Sequence, residues 1–161
     1  LAASIAVESK TRRIIGLRVG AMPCKGVLAK ISLQKYGPRK DERFQMREDL
    51  FTEIKPYTQE NVVIKTDNHP HYKKPIKAHF PKAEHIAYES RRARSNGYGE
   101  LKKGWYDPLF SLNHTYAMCR DNINRLRRRT WSTTKKAERL FYHLSLYAYF
   151  HNSVLIHNLS R

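Results

Sequence analysis

The sequence has 161 residues, 40% hydrophobic and 28% charged, which is enough for one packed core and short for two. Its 31 Lys and Arg against 14 Asp and Glu give a formal charge of +17 and a pI near 10.1, a surplus that repels itself unless a polyanion is close; nucleic acid leads, with anionic membrane second. No apolar run approaches the ~18 residues of a membrane span, and Cys24 and Cys119 lack the CxxC spacing of a metal or redox site, which fits a reduced, cytoplasmic chain.

The opening, LAASIAVES, has no initiator Met and starts in mid-strand pattern, so the chain reads as a fragment. Residues 2–8 and 12–20 predict a strand, a tight turn at Ser9-Lys10-Thr11, and a second strand rich in branched residues. Breakers at Pro23, Gly26, Gly37 and Pro38 confine any helix over 27–35 to a short one. Phe44, Leu50, Phe51 and Ile54 recur at roughly helical spacing and predict an amphipathic helix over 41–54, ending before Pro56. NVVIKT at 61–66 is a short strand running into Asp67. After it, 71–80 can turn as a helix and 85–88 (HIAY) is a further strand.

Residues 90–104 are polar, Gly-rich and basic, and predict a loop. Asp107-Pro108 supplies an N-cap and first-turn proline for a long helix through Arg129, which joins an apolar rhythm (Ala117, Ile123, Leu126) to a basic cluster. Thr133 or Thr134 would cap a last helix from Lys135 to about Asn158, with Leu140, Leu144, Tyr147 and Ala148 on its apolar face and Tyr142, Tyr149 and Phe150 adding aromatic weight. The expectation is therefore one α/β domain over 1–161: a mixed sheet with interleaved helices (1–89), a basic loop (90–106) and a long C-terminal helical pair (107–161).

Asp67, at the carboxyl end of an apolar strand, stands where open α/β sheets place functional groups, although an Asp that only starts a turn has the same local signature. His69, His71, His79 and His85 lack the HExxH spacing or nearby Cys of a zinc site, and nothing orients His114 as a base for Cys119, which reads as a small buried residue. Arg91, Arg92, Arg94, Lys102 and Lys103 in the loop, with Arg125, Arg127, Arg128, Arg129 and Lys135 downstream, are the expected contacts to a phosphate backbone. Tyr98, Trp105 and Trp131 interleave aromatic surface with them.

Three stretches, IAVESKTRRIIGLRVG, VVIKTDNHPHY and NHTYAMCRDNINRLRRRTWSTTK followed by LFYHLSLYAYFHN, resemble insertion-sequence transposases of the RNase H-like DDE/N superfamily, over most of the chain. The resemblance implies a truncated RNase H-like catalytic core in which Asp67 is the second Asp, Asn113 the third position and Arg120 the basic residue seven places on, on the same helix face. Glu100 is an alternative third acid. Asp67 and Asn113 would hold Mg2+ or Mn2+ in the complete enzyme, for cleavage and transfer of DNA strands at transposon ends and target. The family's first Asp lies on a strand ahead of the hairpin, where this chain has no counterpart, so the resemblance implies an inert fragment. It also implies a bacterial, nucleoid-associated protein and leaves a homo-oligomer open. A non-enzymatic basic nucleic-acid-binding domain, with Asp67 a helix cap, is the alternative.

Overall fold

The computed structural model describes residues 1–24, 26–27, 29–89, 107–126, 134 and 136–159, the last two of 136–159 as backbone only. Strands β1 (Ala2–Val7) and β2 (Ile14–Gly20) pair antiparallel, Ile5 opposite Leu17, with an irregularity between Ala6 and Val7. Helices α1 (Ala29–Tyr36) and α2 (Arg43–Ile54) follow. Strand β3 (Val63–Asp67), helix α3 (Lys73–His79) and strand β4 (Glu84–Tyr88) then form a parallel βαβ unit, with Asp67 opposite Tyr88. Helix α4 (Phe110–Asn122) and helix α5 (Ala137–Phe150) come next, and α5 continues through a π-helical turn at His151–Leu155 into the short α6 (Ile156–Leu159). The class is mixed α/β, with one antiparallel and one parallel two-stranded sheet among the described residues.

The hairpin feeds two cores, its irregularity at Ala6–Val7 setting Ile14 on the same face as Leu17, three positions on. Ile5, Ile14 and Leu17 pack with Cys119 and Ile123 and with Leu140, Leu144, Tyr147 and Ala148 of α5. Ala6 and Ile15 face the other way, onto Leu50, Phe51 and Ile54 of α2. Helix α2 links the two sheets, because the same residues meet Ile76 and Phe80 beside α3 and Ile64 of β3; Phe51 and Phe80 meet edge-on at 5.8 Å.

Its close seat depends on two glycines. A Cβ on Gly16 would stand 2.5 Å from Ile54 Cγ2 and 3.0 Å from Leu50 Cδ1, and one on Gly20 2.6 Å from Met46 Sδ. Gly16→Ala is accordingly expected to destabilise the fold by about 1–3 kcal/mol through overpacking, read as a lower urea midpoint; an unchanged midpoint would mean that α2 does not lie on the hairpin.

The α2 face differs in one place from its predicted pattern: Met46 is buried and Phe44 is 59% exposed. Helix α4 is shorter than the predicted run to Arg129. Ile123, in extended backbone, ends it and turns its β-branched side chain into the core, with a 3₁₀ turn at Asn124–Leu126 beyond. Asn122, Ile123 and Asn124 are weak helix formers in succession, so a buried Ile123 outweighs helix continuation there. Ile123 and Leu126 do pack on the core, whereas Ala117 is exposed and Thr115 and Cys119 are buried instead.

The predicted caps are not the observed ones. Leu109 is the N-cap of α4, while Asp107 Oδ1 accepts from Leu109 N at 3.1 Å in a side-chain turn. Lys136, without a side-chain cap, begins α5, and the buried Thr134 hydroxyl has no hydrogen-bond partner among the described residues; Thr133 lies outside them. The apolar face of α5 is as predicted, but Tyr142, Tyr149 and Phe150 are exposed. Among the described residues no helix is long and apolar enough to cross a membrane.

Candidate nucleic-acid and metal site

Strand β3 delivers Asp67 to its carboxyl end with the side chain exposed. The residue before it is buried: Thr66 donates from Oγ1 to the Asp67 carbonyl at 2.8 Å and lies 2.9 Å from His85 Nε2, so the strand end is held from inside. Asp67 is exposed on a fixed backbone.

Two tyrosines extend from this point toward α4. Burial, then the negative charge of Asp67, raises the Tyr72 phenol above its usual range, and the guanidinium of Arg47, 5.9 Å over the ring, opposes them. Burial, then Tyr72, pushes Tyr116 up to about 12, while a backbone hydrogen bond from Ile5 and the charge of Arg120 oppose. Asp67 thus acts on Tyr72 and Arg120 on Tyr116, two half-buried tyrosines of which Tyr72 also acts on Tyr116. Both tyrosines lie within stretches that carry the resemblance, yet the resemblance gives neither a role, and helical periodicity alone would not distinguish Tyr116 from its neighbours on α4.

Asn113 and Arg120 are both exposed on α4, as their two-turn spacing requires. The Asn113 amide, however, donates from Nδ2 to Asp107 Oδ2 at 3.0 Å, and Ser111 near it bonds the carbonyl of Ser9 in the β1–β2 turn. No hydrogen bond or ion pair among the described residues joins Asn113 or Arg120 to Asp67. Asp67 suits a hard divalent cation, and Asn113, its amide nitrogen tied to Asp107, keeps its carbonyl oxygen as a further hard donor.

Among the described residues no group of three or more His, Cys, Asp or Glu side chains gathers as a metal site. His69 lies against His71, His79 meets Glu48 at 2.7 Å, and His85 is committed to Thr66. Cys119 is 2% exposed and burial raises its thiol to about 11, which keeps it a neutral packing group. Of the basic residues expected at a phosphate backbone, Arg125 is exposed in the 3₁₀ turn after α4. Arg91, Arg92, Arg94, Lys102, Lys103, Arg127, Arg128, Arg129 and Lys135 lie outside the described residues, as does Glu100.

The chain is thus a strongly basic mixed α/β protein with an exposed carboxylate at a strand end. No protein-family model matches it, and no curated protein or solved structure matches it significantly.

Proposed function

We propose that this chain is a segment of the catalytic core of an RNase H-like DDE/N transposase, acting on the phosphodiester backbone of DNA. The observation that carries the reading is Asp67, exposed at the carboxyl end of a parallel strand, next to Tyr72, which in turn acts on Tyr116, the tyrosine whose phenol Arg120 of a later helix lowers. Hairpin, helix, βαβ unit and C-terminal helices follow one another in the order the resemblance implies, although the hairpin and the βαβ unit form two separate two-stranded sheets among the described residues where one mixed sheet was expected, and the charge of +17 suits a polyanion.

In this reading Asp67 would hold a divalent cation, and Asn113 would offer Oδ1 as a second donor, since Nδ2 is tied to Asp107. A bound cation neutralises charge developing at the phosphodiester. Arg120 holds a DNA phosphate near that point, and Arg125 with the downstream cluster holds the flanking backbone.

The second reading, a basic binding domain without chemistry, is favoured by the Asn113–Asp107 bond, which gives the third position a purely structural partner. Duplex DNA binding measured with Mg2+ and with chelator separates the two. The transposase reading expects affinity at equal ionic strength to rise at least about threefold with Mg2+, and indifference to the metal would leave only the binding domain. In both, log K falls linearly with log salt with a slope of about −0.9 per phosphate neutralised, and a flat salt response would remove DNA as the partner.

A further inference from the structure

We propose that the β1–β2 turn and the π-helical segment together form a binding pocket for the phosphate group of a nucleotide. Lys10, Arg12 and Arg13 from the turn and Asn152, Ile156 and His157 from the C-terminal segment line a concavity of about 380 Å³, within the size range of small-ligand sites. The inference does not depend on the role of Asp67.

The turn is built rigidly. Arg12 N donates to Glu8 O and Glu8 N to Arg13 O, each at 2.9 Å. His151, fully buried in the π-helical turn, donates from Nε2 to the Arg12 carbonyl at 3.0 Å, and Asn152 clamps Ile14 with two bonds of 2.9 Å, one from Ile14 N and one to Ile14 O. A residue 139 positions away in sequence thus fixes the backbone that carries the Arg12 side chain.

Two features of this turn are unfavourable for folding alone. Arg12 has φ +63, a conformation that Gly or Asn adopts more readily. Lys10, Arg12 and Arg13 also place three cations within four positions, and none of them forms an ion pair among the described residues. The carboxylate at the turn, Glu8, accepts from the Thr11 hydroxyl. Behind Arg12, burial and then the charge of Arg12 keep the His114 imidazole below its ordinary range. A phosphate group relieves the crowding of positive charge, since two guanidinium forks and an ammonium match its oxygens, and Ile156 offers an apolar wall to an attached sugar. The phosphate can come from a free nucleotide or from a nucleic-acid strand.

The full chain is titrated with adenosine 5′-monophosphate and, separately, with a short duplex DNA, following backbone amide shifts. The proposal expects the monophosphate to shift residues 10–13 and 152, and Arg12→Gly, which relieves the positive φ, to weaken its binding at least tenfold without lowering the melting temperature. Arg13→Gln, at an exposed position, provides the same test without touching that backbone. A parallel loss of DNA affinity, with a salt slope smaller by about one, assigns the phosphate to a nucleic-acid strand; unchanged DNA affinity assigns it to a free nucleotide. Monophosphate binding equally tight in both variants, or shifts confined to other residues, would overturn the proposal.

Discussion

Leu144→Ala is expected to lower the unfolding free energy by about 3–4 kcal/mol, the middle of the range for emptying a well-packed leucine site. Leu144 is 2% exposed, in the core shared by Ile5, Ile14, Leu17, Cys119 and Ile123, so its removal leaves a cavity bounded by a strand pair on one side and helices on the other. Strands twist as units and helices are stiff, so neither can collapse into the space without giving up contacts elsewhere. Leu146, two residues along the same helix, is 70% exposed. Leu146→Ala is expected within about 0.5 kcal/mol of the parent, with the same helix-propensity change. Urea unfolding of the pair measures the difference; equal costs would mean that α5 does not present the Leu144 face to the hairpin.

Asp67→Asn is expected to weaken Mn2+ binding at least tenfold. The ion's paramagnetic broadening should be centred on the amides of Thr66, Asp67 and Asn68 in the parent and be largely absent in the variant. The change keeps the shape of the side chain and removes its charge, and Asp67 is exposed, so the strand pairing to Tyr88 and the buried Thr66 contacts should remain. A second reading comes from Tyr72. Its phenol is raised first by burial and then by Asp67, so the variant should titrate at lower pH than the parent in ultraviolet absorbance while still staying above an exposed tyrosine. Broadening that persists in the variant would remove Asp67 as a ligand, and an unmoved Tyr72 titration would mean that the carboxylate is not beside that ring.

The transposase reading and the pocket at the hairpin turn fail independently. Loss of Mn2+ response at Asp67 would leave Lys10, Arg12 and Arg13 against the C-terminal segment as they are. A silent pocket would leave Asp67 and the tyrosine pair unaffected.

Several elements were legible in local pattern. Both hairpin strands, the helix ending before Pro56, the strand running into Asp67 and the face Leu140, Leu144, Tyr147, Ala148 follow from periodicities of two and 3.6 residues, which depend only on neighbours in the chain. The burial of Cys119 belongs with these, since a small apolar residue on an amphipathic helix has few other places to go.

Where local preference met a tertiary contact, the contact decided. The weak helix formers Asn122, Ile123 and Asn124 allow α4 to end but do not fix where, and the extended backbone of Ile123 is stabilised by a core built from residues far away in sequence. Asn113 takes Asp107 as a partner, and Asp67 and Arg120 come to neighbouring tyrosines through Tyr72 and Tyr116, which are 44 positions apart. Arg12 holds a left-handed conformation because His151 and Asn152 pin the turn from the other end of the chain. The amino-acid sequence by itself determined which faces are apolar, where strands and helices can run, and the excess of positive charge. Which faces meet, which helix stops early and which charged groups share a concavity were decided only on folding, because those outcomes depend on side-chain volumes and hydrogen-bond partners brought together from distant parts of the chain.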